Sequence, residues 1–139
     1  MAAKRNIVKF KDISASAAFT IIGISSHEND YRLSWCINDE LGFAFAKSEN
    51  LETADGKEFT CFVHTDEYIK MTIISNRCDD GFLLEKHKNL DFILKFENEL
   101  NETEIAEWLK KLKAVTLVSA AFTIPLDRNM QQKLSIYEV

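Results

Sequence analysis

Cys61-Phe-Val-His64 is the closest pairing of a thiol with an imidazole in the chain, and two chemistries could use it. Zinc sites draw such pairs across a tight turn and need four ligands. A cysteine nucleophile needs a neighbouring base to make its thiolate. Neither suits this pair. It falls in a run of strand character, where residues three apart point to opposite faces, and no second Cys/His pair follows. Cys36 and Cys61 read as small buried hydrophobes, while Asp79 and Asp80 flank Cys78 and oppose a thiolate there. The acids gather at Asp39-Glu40, Asp66-Glu67 and Asp79-Asp80, in turns and helix ends where solvated carboxylates belong. No catalytic residue, metal or cofactor is expected.

The densest polar group lies elsewhere. Ser25, Ser26 and His27 follow an apolar run and precede a helical one, so three side chains able to bond an anion crowd one helix start. Gly23 stands where a phosphate loop would begin, but Ile24-Ser25-Ser26 replaces its further glycines and lysine. Asp30 and Arg32 continue the group. Asn76 and Arg77 would join it if the strand over 68–75 ended beside that helix start. Those seven residues are the candidate ligand-binding set.

The elements that must position them follow from period and caps. The run over 18–24 is apolar at nearly every position, as in a strand covered on both faces. Ser25 and Glu28 have capping-box spacing, which predicts a helix from there to Leu41, closed by Gly42. Tyr31 and Trp35 read as core residues of that helix. From Phe43 the period becomes two, with a hairpin signal at Asp55-Gly56 and strands over 58–64, 68–75 and 90–96. The last of these shows one apolar face, made by Leu90, Phe92, Leu94 and Phe96. Asn101-x-x-Glu104 repeats the capping box before a helix whose stripe is Ile105, Trp108, Leu109 and Leu112. A second near-continuous apolar strand is expected over 115–124. Shorter pieces are a strand over 7–10 and a helix over 129–134. The reading is an α+β fold, mainly an antiparallel sheet in the order β-α-β-β-β-β-α-β, with two helices on one face. The strands over 18–24 and 115–124 form its middle pair. Their second face meets either the terminal segments or another subunit.

At 139 residues with 46% hydrophobic content, the chain is one domain, 1–139, able to bury roughly 70% of its unfolded surface. Seventeen Lys and Arg against twenty-two Asp and Glu leave a net charge of −5, which disfavours binding to nucleic acid or an anionic membrane. The longest apolar run, over 114–124, is far short of the ~18 residues of a membrane span. Three scattered cysteines in a chain of this size read as reduced thiols of a cytoplasmic protein.

Gly81-Phe-Leu-Leu-Glu-Lys-His-Lys-Asn-Leu-Asp-Phe92 resembles the segment that names the IPExxxVDY family of uncharacterised bacterial proteins. Leu84 stands at its Ile, Leu90 at its Val, Asp91 at its Asp and Phe92 at its Tyr, while Glu85 and Lys86 replace its Pro and Glu. The stretches over 22–35 and 73–77 are similar to the family as well. The resemblance implies a bacterial, cytoplasmic protein and carries over no catalytic residue. Two functions stand against each other. The first is a non-enzymatic protein-protein interaction module, as a homodimer or a small adaptor. The second is a small-molecule binder or enzyme using the polar segment Ser25–Arg32 with Arg77.

Overall fold

The computed structural model describes residues 19–135; the strand expected over 7–10 lies outside them. The apolar run forms β1 (Thr20–Ser25), whose four central residues are buried. The chain then crosses into α1 (Asp30–Leu41), and here the capping expectation is corrected. The N-cap is Asn29, whose Oδ1 accepts the Arg32 N–H at 2.9 Å. Ser25 cannot serve because it belongs to the sheet: its carbonyl accepts the Ser119 N–H, and its hydroxyl donates to the Asn89 carbonyl. Gly42 closes the helix in the left-handed conformation, φ 77°, which glycine adopts without a Cβ penalty.

Next come β2 (Ala46–Glu52), β3 (Glu58–Thr65) and β4 (Lys70–Ser75), each antiparallel to the one before. A small hairpin of β5 (Arg77–Cys78) and β6 (Gly81–Phe82) stands apart from the main sheet. The chain continues through β7 (Phe92–Phe96), α2 (Glu102–Lys113), β8 (Ala120–Thr123) and α3 (Arg128–Ser135). The fold is α+β, and its six-stranded antiparallel sheet has the order β2-β3-β4-β7-β1-β8. Without the small hairpin and α3, the chain order is the expected β-α-β-β-β-β-α-β.

Two strand assignments change. The run over 115–124 yields only four strand residues. Val115 and Val118 lie in successive turns after α2, where their side chains join the helix-side core. The strand that remains is an outer one, so β8 neighbours β1 without sharing the middle of the sheet. β4 and β7 hold that place. In β7 all five residues are buried, including Ile93 and Lys95 on the face that alternation assigned to solvent. Lys95 is accommodated because its Nζ donates to the Leu134 carbonyl at 3.0 Å, at the C-terminal end of α3, where a cation complements the helix dipole. Glu97 lies 3.6 Å from the same Nζ, and the Phe19 ring lies beneath it.

Both faces of the sheet are clothed. On one, Leu33, Cys36 and Ile37 of α1 and Leu112 of α2 meet Ile22, Ile24, Ile73 and Leu94, with Ile105, Trp108 and Leu109 packed alongside. The two main helices thus share one face, as the sequence suggests. On the other, Leu83, Leu84 and Leu90 join Met130 and Leu134 of α3 over Ile21, Ile74 and Ile93. That second face is therefore not an open patch, and Ile21 and Ala121 are buried within the chain itself. Gly23 makes this cover possible. A Cβ there would stand 2.6 Å from Leu90 Cδ1 and 2.7 Å from Ile124 Cδ1.

Candidate functional site

Where β1 ends, residues 26–29 cross the top of the sheet to reach α1. Ser26 is buried there by three bonds: its N–H donates to Asp91 Oδ2 at 2.8 Å, its hydroxyl donates to the Leu117 carbonyl at 2.7 Å, and that hydroxyl accepts from the Glu28 N–H. Asp91 Oδ1 in turn lies 2.6 Å from Arg77 Nη2. On the far side Asp30 Oδ2 accepts from the Thr60 hydroxyl at 2.5 Å. Together these groups line a cleft of about 470 Å³ that holds Ser26, His27, Asp30, Thr60, Arg77 and Asp91. The ends of β4 and the start of α1 do meet, so Asp30 and Arg77 share one hollow.

Four of the seven expected residues, Ser26, His27, Asp30 and Arg77, line the cleft. Three do not. Ser25 is held in the sheet. Arg32 turns outward to Glu28, 3.3 Å away on the preceding turn. Asn76 is wholly buried: its Nδ2 donates to the His87 and Leu90 carbonyls, and its Oδ1 accepts the Leu84 N–H. It braces the segment over 83–90 against the sheet and faces no solvent. Asp91 and Thr60 were not anticipated. The sequence signals for Asp91 were an acid set inside an apolar run and its place at the Asp of the motif that the segment over 81–92 resembles. Segments 22–35, 73–77 and 81–92, far apart in the chain, converge on that single carboxylate.

The one arginine that lines the cleft, Arg77, is paired with Asp91, and Asp30 accepts a hydrogen bond from the Thr60 hydroxyl. An anion at the start of α1 would meet the carboxylates of Glu28, Asp30 and Asp91, so the anion-binding character expected of this helix start is countered by its own neighbours.

The thiol and imidazole candidates resolve into structure. Cys61 and His64 point to opposite faces of β3, as strand geometry requires, and Cys61 lies in the core under α3. Burial pushes its thiol up to about 11. Cys36 is raised as well, by burial and then by its hydrogen bond to Glu40. Both shifts disfavour the thiolate form. His64 is buried. Its Nδ1 accepts the Ala44 N–H at 3.0 Å, which leaves Nε2 to donate to Asp66 Oδ2 at 2.8 Å. The ring packs against Phe43 and Phe45, at 5.0 and 5.7 Å between centroids, and pins the α1–β2 connection to the β3–β4 turn. Among the described residues no group of three or more His, Cys, Asp or Glu is placed to hold a metal, and no helix is long and apolar enough to cross a membrane.

The His64 hydrogen bond, followed by the N–H groups of Tyr68 and Ile69, holds the Asp66 carboxyl below the usual carboxylate range. A carboxyl depressed in the folded state adds stability above its unfolded pKa, about 3.9, and loses it as pH falls through the lower folded value. Asp66→Asn, which keeps one oxygen for the Tyr68 and Ile69 N–H groups but removes the charge and the acceptor facing His64, should therefore melt below wild type by a constant margin down to about pH 4. The margin should close in stronger acid. Melting curves followed by circular dichroism check this, and a margin unchanged at pH 2 excludes it.

One surface of α1 departs from expectation. Tyr31 is 72% and Trp35 66% exposed, although both read as core. The helix buries Leu33, Ser34, Cys36 and Ile37, and that phase turns positions 31 and 35, one turn apart, toward solvent. The spacing of Leu33, Cys36 and Ile37 was the signal that could have found it. The Phe62 ring lies 6.4 Å from that of Tyr31.

No protein-family model matches the chain, and a search of curated proteins finds no match.

Proposed function

We propose that the protein is a non-enzymatic contact module that binds a protein partner through the outer face of α1. The observation that carries this reading is the exposed pair Tyr31 and Trp35. Aromatic residues of these two types dominate the binding energy of protein interfaces, because each buries a large area with few rotatable bonds. The partner is a protein offering an apolar pocket wide enough for an indole. Membership of the IPExxxVDY family, which the segment over 81–92 suggests, is compatible with this and adds no catalytic residue.

A photo-crosslinking residue at position 35, compared with one at exposed Glu107, tests the reading in the host cell. Discrete protein adducts should form at 35 and be lost when Tyr31→Ala is added. Adducts equally abundant at 107, or indifferent to Tyr31→Ala, would refute it. The second reading, a small-molecule site, rests on the cleft that gathers Asp30, Arg77 and Asp91. A metabolite that raises the melting temperature of wild type and not of Arg77→Ala would favour it.

A further inference from the structure

The two outer strands of the sheet differ in a way that bears on self-association. An unpaired edge invites another strand, and natural edges are blunted with charges or irregular pairing. The β2 edge has both: Lys47, Glu49 and Glu52 are exposed, and its register with β3 slips between Ser48 and Leu51. Among the described residues no strand pairs with the outer side of β8, and that edge has neither device. From Ala114 to Pro125 the sequence contains no charged residue, and Phe122 stands 40% exposed beside the free side.

The register fixes what that free side presents. Ser25 offers its carbonyl to the N–H of Ser119, whereas Ile24 offers its own to Asp91. Alternation along an antiparallel strand therefore turns Gly23 and Ser25 toward β8, and Ile22 and Ile24 toward β7. Their partners Phe122 and Ala120 bond inward, which leaves Ala121 and Thr123 with N–H and C=O groups directed outward. Pro125, next in that alternation, has no N–H and ends the ladder.

We infer that β8 is a homodimerisation edge: two copies pair their β8 strands antiparallel about a two-fold axis at Phe122, making one continuous sheet. In this register the strand is complementary to itself. Ala121 of each copy exchanges both hydrogen bonds with Thr123 of the other, four bonds in all. Phe122 then opposes its own counterpart in a non-hydrogen-bonded pair, where side chains approach most closely. A two-fold contact is also the commonest closed assembly. A second copy suits the edge better than an unrelated strand, because the residue at the axis is a large aromatic that meets an identical one. This inference is independent of the α1 reading, and the dimer would present the Tyr31 and Trp35 face twice.

Sedimentation equilibrium of the full chain at micromolar concentrations tests it, with circular dichroism to confirm folding. Wild type should sediment at twice 16.0 kDa. Phe122→Lys places two like charges face to face, and Thr123→Pro removes an outward donor without adding charge; each should sediment at 16.0 kDa while keeping the wild-type spectrum. Trp35→Ala should remain dimeric. Wild type that stays at 16.0 kDa on concentration overturns the inference. So does a dimer that survives both β8 substitutions, and one lost in Trp35→Ala but kept in Phe122→Lys would move self-contact to α1.

Discussion

Trp108→Ala is expected to lower the free energy of unfolding by about 3 kcal/mol, the lower end of the range for removing a large aromatic from a core, because the indole is half-buried against it. The indole stacks on Phe43 at 5.5 Å, meets Phe96 of β7 edge-on at 5.0 Å, and lies under the Lys111 ammonium. It joins α2, the central strand and the α1–β2 connection in one contact. Glu107 is the adjacent residue on the solvent side, and Glu107→Ala should shift stability by no more than about 0.5 kcal/mol. Urea unfolding of the two variants measures the difference. Equal losses would mean that α2 does not seat through this stripe.

Asn76→Ala is expected to cost about 3–4 kcal/mol, although the side chain is small and leaves little cavity. Its amide satisfies the carbonyls of His87 and Leu90 and the N–H of Leu84, at 2.7–3.0 Å. Each buried polar group left without a partner costs about 1–3 kcal/mol. The loss should fall on the segment over 83–90, whose Leu83, Leu84 and Leu90 cover the second face of the sheet. Amide exchange there should accelerate before exchange in β1. Arg77, the next residue, makes a partly exposed ion pair with Asp91, and such pairs contribute about 0.2–1 kcal/mol. Arg77→Ala should therefore be mild, and a variant at 77 as damaging as the one at 76 would reverse the roles assigned to the two.

Local chemistry was legible in the sequence where the deciding partners lie within a few residues and the sheet makes no rival claim, as it does on Ser25, which left the α1 cap to Asn29. Asn101 and Glu104 form a reciprocal capping box at the start of α2. The stripe of Ile105, Trp108, Leu109 and Leu112 faces the core, Gly42 takes the left-handed C-terminal position and Gly56 the left-handed turn. All of these depend on hydrogen bonds or side-chain neighbours within one helical turn or one hairpin. The α+β class and the strand order along the chain follow from the same local periods.

The tertiary structure alone decided the rest, because the deciding contacts join residues far apart in the chain. Ser26 meets Asp91 across 65 positions, and Lys95 meets the end of α3 across 39. Alternation could not foresee a buried lysine, since its burial depends on an acceptor carbonyl contributed by another element. Tyr31 and Trp35 read as core by residue type, but α1 seats on the sheet through Leu33, Cys36 and Ile37, which turns both aromatics outward. Apolar content marked 115–124 as an inner strand, but helix-side packing claimed Val115 and Val118 and left four residues at the edge. Composition measures how much a segment wants to be buried, and only the fold supplies what buries it.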